Sequence, residues 1–220
     1  MWNKFAWTLA MLAAAGSAWA HSEHQAPAAP QQKEAVADIP ASKTAKPDAR
    51  AYFTDTVLVN QDGKKMRFYS DVLEGHTVLI NVIYTNCKDA CPLITQKLIE
   101  VKGQIGDLFG KEVRFVSISN DPIRDTPAAL KAFARKEHAD LPGWVFLTGD
   151  KKNVELVLKK LGQFSQDVEA HSTLLIAGNV PEKRWSKIRP DAPTPAIVTR
   201  LQLLVNPDAM LGPLTPPKAN

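Results

Sequence analysis

The sequence predicts an α/β domain in which helices cover both faces of a central sheet. Apolar, β-branched runs typical of buried strands alternate with segments that carry apolar residues at helical spacing. This alternation favours parallel strands with covered faces. A β-hairpin extension comes first, at residues 56–68, because two short apolar runs flank a turn that contains Asp62 and Gly63.

Composition is consistent with one globular domain that carries tails. The chain has 220 residues, of which 45% are hydrophobic and 23% are charged. Its net charge of +4 is small and dispersed, and the sequence has no basic run of the nucleic-acid-binding type. We therefore expect no nucleic acid partner.

Residues 1–20 have the pattern of a secretory signal peptide. Lys4 supplies the positive charge, residues 5–15 are apolar, and Ala18 and Ala20 fit a small-x-small cleavage site. The apolar run is short for a transmembrane helix, so we expect no substantial membrane insertion after cleavage. The protein would then be periplasmic or otherwise exported, in an oxidising compartment. The alternative is an uncleaved signal that tethers the protein to a membrane.

A low-complexity segment follows the signal. Residues 21–50 are rich in Ala, Pro, Gln and Lys and predict a disordered linker. His21 and His24 would bind a divalent metal weakly at a new N-terminus, although a tail without that role is the simpler interpretation. The folded domain is predicted at 51–206 and a flexible tail at 207–220.

The remaining elements each have a local signal. Thr126 and Pro127 form a favourable N-cap and first-turn pair for a helix, Gly178 follows the last predicted strand, and residues 181–195 are predicted to be irregular and basic. The predicted strands are 78–84, 113–118, 144–147 and 172–176, and the predicted helices are 92–108, 128–138, 152–161 and 196–205.

Cys87 and Cys91 are the two cysteines of the chain, and they join the strand at 78–84 to the next helix. Pro92 follows at a position favoured in a first helical turn, and the partial positive charge of a helix N-terminus favours thiolates. If both cysteines lie on that turn, their Cβ atoms are about 5–6 Å apart, which is wider than a disulfide prefers. Two thiolates held in this way suit a soft ion such as copper(I).

Three segments resemble the Sco/SenC proteins, copper-handling factors of cytochrome c oxidase assembly. They are the CxxxCP motif that starts at Cys87, the SxDPxRDTP segment at 119–127, and the segment around His171 and Ser172. The resemblance spans roughly residues 52–205 and implies a thioredoxin-like fold with a central mixed sheet. The chain departs from the family pattern at Lys88, where proline is usual, and at Ala170, where a carboxylate is usual. The stretch after Gly178 also does not resemble a plain final hairpin.

The resemblance implies a metal site formed by Cys87, Cys91 and His171, with copper(I), copper(II) or both as the ion. The segment at His171 also resembles the part of thioredoxin in which a cis-proline faces the active-site cysteines, and Ser172 takes the place of that proline. A histidine that only packs or caps a strand end is the alternative. Asp121, Arg124 and Asp125 are expected to form an ion pair that holds the loop near the site.

Two functions follow from this interpretation. The first is an exported, monomeric copper metallochaperone that loads a partner, by resemblance the dinuclear copper site of cytochrome c oxidase subunit II or another copper-site protein. The second is a thiol–disulfide oxidoreductase, in which Cys87 and Cys91 are a redox-active pair that reduces the copper-ligand cysteines of the partner. Both can coexist, because the same thiols must be reduced to bind copper. A thiol peroxidase is disfavoured, since the Thr/Arg environment of a peroxidatic cysteine is not evident.

Overall fold

The structure is a computed structural model that describes residues 48–210. The predicted signal at 1–20, and most of the predicted linker and tail, lie outside these residues. The strands are β1 (Val57–Asn60), β2 (Lys65–Arg67), β3 (Thr77–Ile83), β4 (Val113–Ser119), β5 (Trp144–Thr148), β6 (Leu175–Asn179) and β7 (Arg184–Ile188). The α-helices are α1 (Ala49–Phe53), α2 (Ala90–Ile105), α3 (Pro127–Lys136), α4 (Lys151–Lys160) and α5 (Thr194–Val205).

Three shorter helical elements complete the described chain: a π-helix at Phe68–Leu73 and 3-10 helices at Gly106–Leu108 and Pro207–Met210. The last of these lies at the start of the segment predicted to be a flexible tail. None of the helices in residues 48–210 combines the length and the apolar character needed to cross a bilayer.

Within the described residues the strands form one seven-stranded sheet in the order β2-β1-β5-β4-β3-β6-β7. The β3–β4 and β4–β5 pairs are parallel, whereas β1 and β6 pair with their neighbours in antiparallel fashion. The predicted mixed sheet is therefore confirmed, and the antiparallel hairpin of β1 and β2 forms one edge. Strand β3 lies near the middle, and all seven of its residues are buried.

Two apolar layers cover the sheet, one on each face. Successive strand side chains point to opposite faces, so Leu79 and Ile83 of β3 pack with α2 and α5, while Val78 and Ile80 pack on the other side with α4. Residues of α3 join the first layer and those of α1 join the second. Helices on both faces, as predicted, give the central strand apolar neighbours above and below.

The prediction that residues 181–195 are irregular was wrong for Arg184–Ile188, which form β7 and pair antiparallel with β6. The pairing is supported by Trp185, whose ring lies over Gly178 so closely that a Cβ there would come within 2.2 Å of it. Trp185 also packs against Phe53 of α1, with ring centroids 5.2 Å apart. The chain does end its sheet in a hairpin, contrary to the expectation from the sequence.

Strand β6 begins three residues later than predicted and includes Gly178. It pairs with β3 only from Ile176, opposite Ile80, to Asn179. Residues 171–174 instead have no regular secondary structure, and the Leu174 N–H donates to the Ser172 hydroxyl at 3.3 Å. This shift leaves His171 on a loop at the end of the sheet where β3 leads into the cysteines.

Candidate metal centre

The two cysteines lie on either side of the start of α2. The helix begins at Ala90, so Cys91 is on its first turn, whereas Cys87 precedes the helix. The Cys91 backbone N–H donates to the Cys87 sulfur at 3.2 Å, so this sulfur satisfies one of the free donors at the helix N-terminus. Both thiols are free and buried, with 9% of Cys87 and 1% of Cys91 exposed.

Their surroundings make the two thiols chemically unequal. Burial opposes charge on Cys87, but hydrogen bonds from the Cys91 thiol, the Cys91 and Asp89 backbone N–H groups and the Tyr84 hydroxyl hold its pKa below the ordinary value. Deeper burial, together with the donation of its own proton to Cys87, raises the pKa of Cys91 to about 12. Cys87 is therefore the thiol that ionises first, in agreement with its place at a helix N-terminus.

His171 offers a nitrogen suited to a metal. Its side chain is 8% exposed, and Nδ1 lies 2.8 Å from the Val168 carbonyl oxygen. A carbonyl can only accept, so Nδ1 carries the proton and Nε2 keeps its lone pair. Nε2 is buried and has no hydrogen-bond partner. Metal-binding histidines have this arrangement, in which one ring nitrogen is fixed by a carbonyl and the other is left free.

Tyr84 is the residue that connects His171 with the thiols. Its ring meets the His171 ring edge-on, with centroids 5.5 Å apart and planes at 84°. Its backbone carbonyl accepts the Cys87 N–H at 3.2 Å. Sequence reasoning missed this residue, although its position at the end of the apolar run, three residues before Cys87, was a usable signal.

A buried carboxylate ties the cysteine loop to the loop after β4. Asp125, 1% exposed, accepts hydrogen bonds from the Thr85 hydroxyl at 2.5 Å, the Thr85 N–H at 3.1 Å and the Ser119 hydroxyl at 2.6 Å. The predicted ion pair forms between Arg124 and Asp121 at 2.9 Å. Asp125 therefore holds the loop through hydroxyl and backbone donors, and its burial raises its pKa.

The predicted ligands do not form a compact cluster of three donors in the described residues. Among residues 48–210, the side chains of His, Cys, Asp and Glu form no group of three or more that could hold a metal ion. The contact from His171 to the thiol pair runs through Tyr84. The donor types nevertheless fit copper, since two sulfurs and one unpartnered imidazole nitrogen are the ligands that copper(I) and copper(II) favour. His21 and His24 lie outside the described residues.

The other two described histidines lie elsewhere. His76 precedes β3 and is half-buried, and this burial lowers its pKa. His138 is exposed just after α3. Neither has a contact with Cys87, Cys91 or His171 among the hydrogen bonds and ring contacts of residues 48–210.

The mixed sheet, its two helical layers and the thiol pair at the mouth of α2 define a thioredoxin-like protein. The chain belongs to the SCO1/SenC family, whose family model matches residues 44–177. The SCO1 protein homolog of Bacillus subtilis is 37% identical over 90 residues, which are 41% of this chain and 45% of that protein. The chain spans about half the length of the curated relatives it matches.

Solved structures agree with this assignment. Bradyrhizobium japonicum ScoI with copper bound is 25% identical, with a TM-score of 0.57 over 67% of this chain and 96% of that one. BsSco, a Sco-family cytochrome c oxidase assembly protein in which a disulfide switch has been identified, is 26% identical. Its TM-score is 0.58 over 68% of this chain and 90% of its own.

Proposed function

We propose that this chain is an exported copper metallochaperone that binds one copper ion through Cys87, Cys91 and His171. Copper is its cargo. We propose that the recipient is the dinuclear copper site of cytochrome c oxidase subunit II, with another copper-site protein as the alternative. Family membership, the copper held by ScoI and the assembly role of BsSco support this proposal.

The observation that carries the proposal is the buried, unpartnered Nε2 of His171. A buried polar atom without a partner is unfavourable by about 1–3 kcal/mol. A metal ion bound to Nε2 of His171 would remove this cost. Tyr84 contacts the imidazole through its ring and Cys87 through its backbone carbonyl, so it links the loop of His171 to the thiol pair. The lowered pKa of Cys87 supplies one thiolate readily, and copper binding releases the proton of Cys91.

The test is copper stoichiometry of the reduced, purified protein. The parent should bind one copper(I) per chain, and the Cys87→Ser/Cys91→Ser variant should bind none. Met66→Leu is the matched control, because Met66 is the soft sulfur that packs against the core on the other face of the sheet. Stoichiometric copper in the double serine variant would contradict the proposed site. Transfer is then followed by mixing the loaded protein with the copper-free soluble domain of subunit II.

The second candidate function is a thiol–disulfide oxidoreductase that reduces the copper-ligand cysteines of the partner. The inequality of the two thiols favours it, because a nucleophilic Cys87 beside a protonated Cys91 is the pattern of a thiol-exchange pair. In that reaction the partner disulfide gains two electrons and two protons, and Cys87 and Cys91 become a disulfide. Reduction of the oxidised partner by the metal-free protein, but not by the Cys87→Ser variant, would support this function.

We also infer that the chain is exported and cleaved after Ala20. A SCO1/SenC family lipoprotein from Bacillus anthracis is a structural relative, which is consistent with export or membrane anchoring. Intact mass of the protein recovered from a periplasmic extract distinguishes a cleaved chain from a tethered one. Recovery only in the membrane fraction, at the full-length mass, would indicate an uncleaved anchor.

A further inference from the structure

We propose that this chain has a second binding site: an apolar groove that takes a single-chain amphiphile with an anionic head group. The groove lies between α1, the end of α4 and the hairpin of β6 and β7, and its volume is about 520 Å³. Cavities of about 300–1,000 Å³ are typical of small-molecule sites. Cys87, Cys91 and His171 are not among its lining residues, so the proposal is independent of the metal centre and of the function proposed above.

The walls of the groove are apolar, and contacts between distant parts of the chain hold them in place. Phe53 of α1 packs against Trp185 of β7, with ring centroids 5.2 Å apart. Leu161, buried directly after α4, adds aliphatic surface. The Tyr52 hydroxyl donates to the Lys160 carbonyl oxygen at 2.8 Å and ties α1 to the end of α4. These contacts form the groove without a ligand, and a hydrocarbon chain that enters it loses its exposure to water.

The charged residues that line the groove are all lysines: Lys160, Lys183 and Lys187. Lys160 and Lys187 form no ion pair with a carboxylate in the part of the chain that the structure describes. The Lys160 ammonium donates to the Tyr52 carbonyl oxygen, which uses one of its three donors. The Lys187 Nζ lies 3.5 Å from the position of a Cβ at Gly162, so this ammonium also lies near the end of α4. Positive charge without a neutralising carboxylate at one end of an apolar groove favours an anion there.

The apolar walls and the ammonium groups together define the chemistry of the ligand. A hydrocarbon chain in the groove gains about fourfold in affinity for each methylene group that it buries. A carboxylate at the end of that chain can accept charge-assisted hydrogen bonds from Lys160 and Lys187. An uncharged chain leaves these ammonium groups without an anion, and a small anion leaves the apolar walls uncovered. The groove therefore fits a molecule that carries both parts.

The ligand enters as a single molecule rather than as part of a bilayer. A bilayer presents its head groups to a protein surface and keeps its chains in its own hydrocarbon core. In the groove, Phe53, Leu161 and Ile176 are buried whereas Lys187 is exposed, so the chain has to pass the charged rim and enter the protein. A monomeric fatty acid, or a free anion of the same kind, has this form.

The experiment measures the binding of decanoate to the full chain by isothermal titration calorimetry, with the thiols reduced and with decanoate below its micelle concentration. Hexanoate tests the hydrocarbon chain, and 1-decanol tests the head group. The groove variant is Lys160→Gln/Lys187→Gln. Its control is Lys65→Gln/Lys152→Gln, which removes the same charge from the other edge strand, β2, and from the first turn of α4. Both control lysines are exposed, and neither lines the groove.

The parent should bind one decanoate per chain, at least about tenfold more tightly than hexanoate, because decanoate buries more methylene groups. It should bind 1-decanol at least about fivefold more weakly than decanoate, because the alcohol carries no charge for the lysines. Lys160→Gln/Lys187→Gln should weaken decanoate binding at least about fivefold and change 1-decanol binding by less than about twofold. Lys65→Gln/Lys152→Gln should match the parent with all three compounds.

Decanoate and hexanoate affinities that agree within about twofold would overturn the proposal, and so would equal losses in the two double variants. Either result would indicate a general attraction of anions to a basic protein. Sedimentation with vesicles of equal parts phosphatidylglycerol and phosphatidylcholine tests the bilayer as the source of the ligand. Both double variants should sediment alike, and weaker sedimentation of the groove variant would overturn the monomeric ligand. The comparison of the three compounds uses the parent alone, so it decides the proposal even if the lysine variants fail to fold.

Discussion

Replacement of His171 by alanine is the perturbation that most directly tests the metal centre. In the structure the imidazole makes one hydrogen bond, from Nδ1 to the Val168 carbonyl, and leaves Nε2 buried without a partner among the described residues. Loss of this hydrogen bond should destabilise the folded protein by about 0.5–1.5 kcal/mol, whereas removal of the unpartnered Nε2 should stabilise it by about 1–3 kcal/mol. Because these contributions oppose each other, His171→Ala should change the free energy of unfolding of the protein without copper by no more than about 2.5 kcal/mol.

The effect on copper binding should be larger and of one sign. Copper supplies the partner that Nε2 lacks, so the parent regains about 1–3 kcal/mol on binding, which corresponds to about 5- to 150-fold in affinity. The alanine variant has no such gain. We expect its copper(I) affinity to fall by at least about tenfold, or about 1.4 kcal/mol, while Cys87 and Cys91 still form and reduce their disulfide.

The assay is competition with a copper(I) chelator on reduced protein, alongside thermal unfolding with and without copper. His138→Asn is the control, because His138 is exposed and has a φ of 58°, a left-handed conformation that Asn tolerates and Ala does not. Copper affinities of His171→Ala and His138→Asn that agree within about twofold would refute the ligand assignment. If His171→Ala in addition lost activity on a partner disulfide, the oxidoreductase function would replace the metallochaperone function.

Three further outcomes are expected. Near neutral pH an alkylating reagent should modify Cys87 before Cys91, because the thiolate is the nucleophile and the pKa of Cys87 is the lower one. The alkylation rate of Cys87 should rise as the pH passes its lowered pKa. Equal labelling of the two cysteines in peptide mapping would contradict this assignment. Asp125→Asn should lower the free energy of unfolding, measured by urea titration, by about 1–3 kcal/mol. The reason is that an amide has one acceptor oxygen for the three donors from Thr85 and Ser119. An unchanged midpoint would show that Asp125 does not hold the cysteine loop. Deleting residues 1–47 should leave folding and copper stoichiometry intact, whereas copper loss on deletion would implicate this segment.

Much of the fold follows from local sequence signals. The buried strands β3 and β4 are mostly apolar and β-branched or aromatic. Helix α3 begins at Pro127, where Thr126 and Pro127 predicted a helix start, and the Thr126 hydroxyl accepts the Ala129 N–H at 3.2 Å. The thiol pair at the start of α2 was also predictable, because a strand, a polar turn and a proline follow one another along the chain. These features depend on neighbours within a few residues, which a sequence displays directly.

The edge strand β7 and the register of β6 could not be predicted from the sequence. Strand β7 is half-exposed and lacks a run of apolar residues, and it exists because Trp185 fits over the bare Cα of Gly178 and against Phe53. The register of β6 is likewise a property of its pairing with β3, in which Ile176 lies opposite Ile80 and Asn179 opposite Thr77. The formation of β7 and the register of β6 depend on cross-strand packing, which influences strand pairing more than intrinsic propensity does.

For the proposed metal centre, the sequence by itself indicated the candidate donors: two thiols at a helix start and, through a family resemblance, one histidine on a distant loop. Only the tertiary structure decided that Nε2 of His171 is buried without a partner and that Tyr84 contacts the imidazole and Cys87. The physical reason is that β3 and the loop before β6 meet at one end of the sheet. Their contacts therefore arise between residues far apart in the chain, where no local periodicity records them.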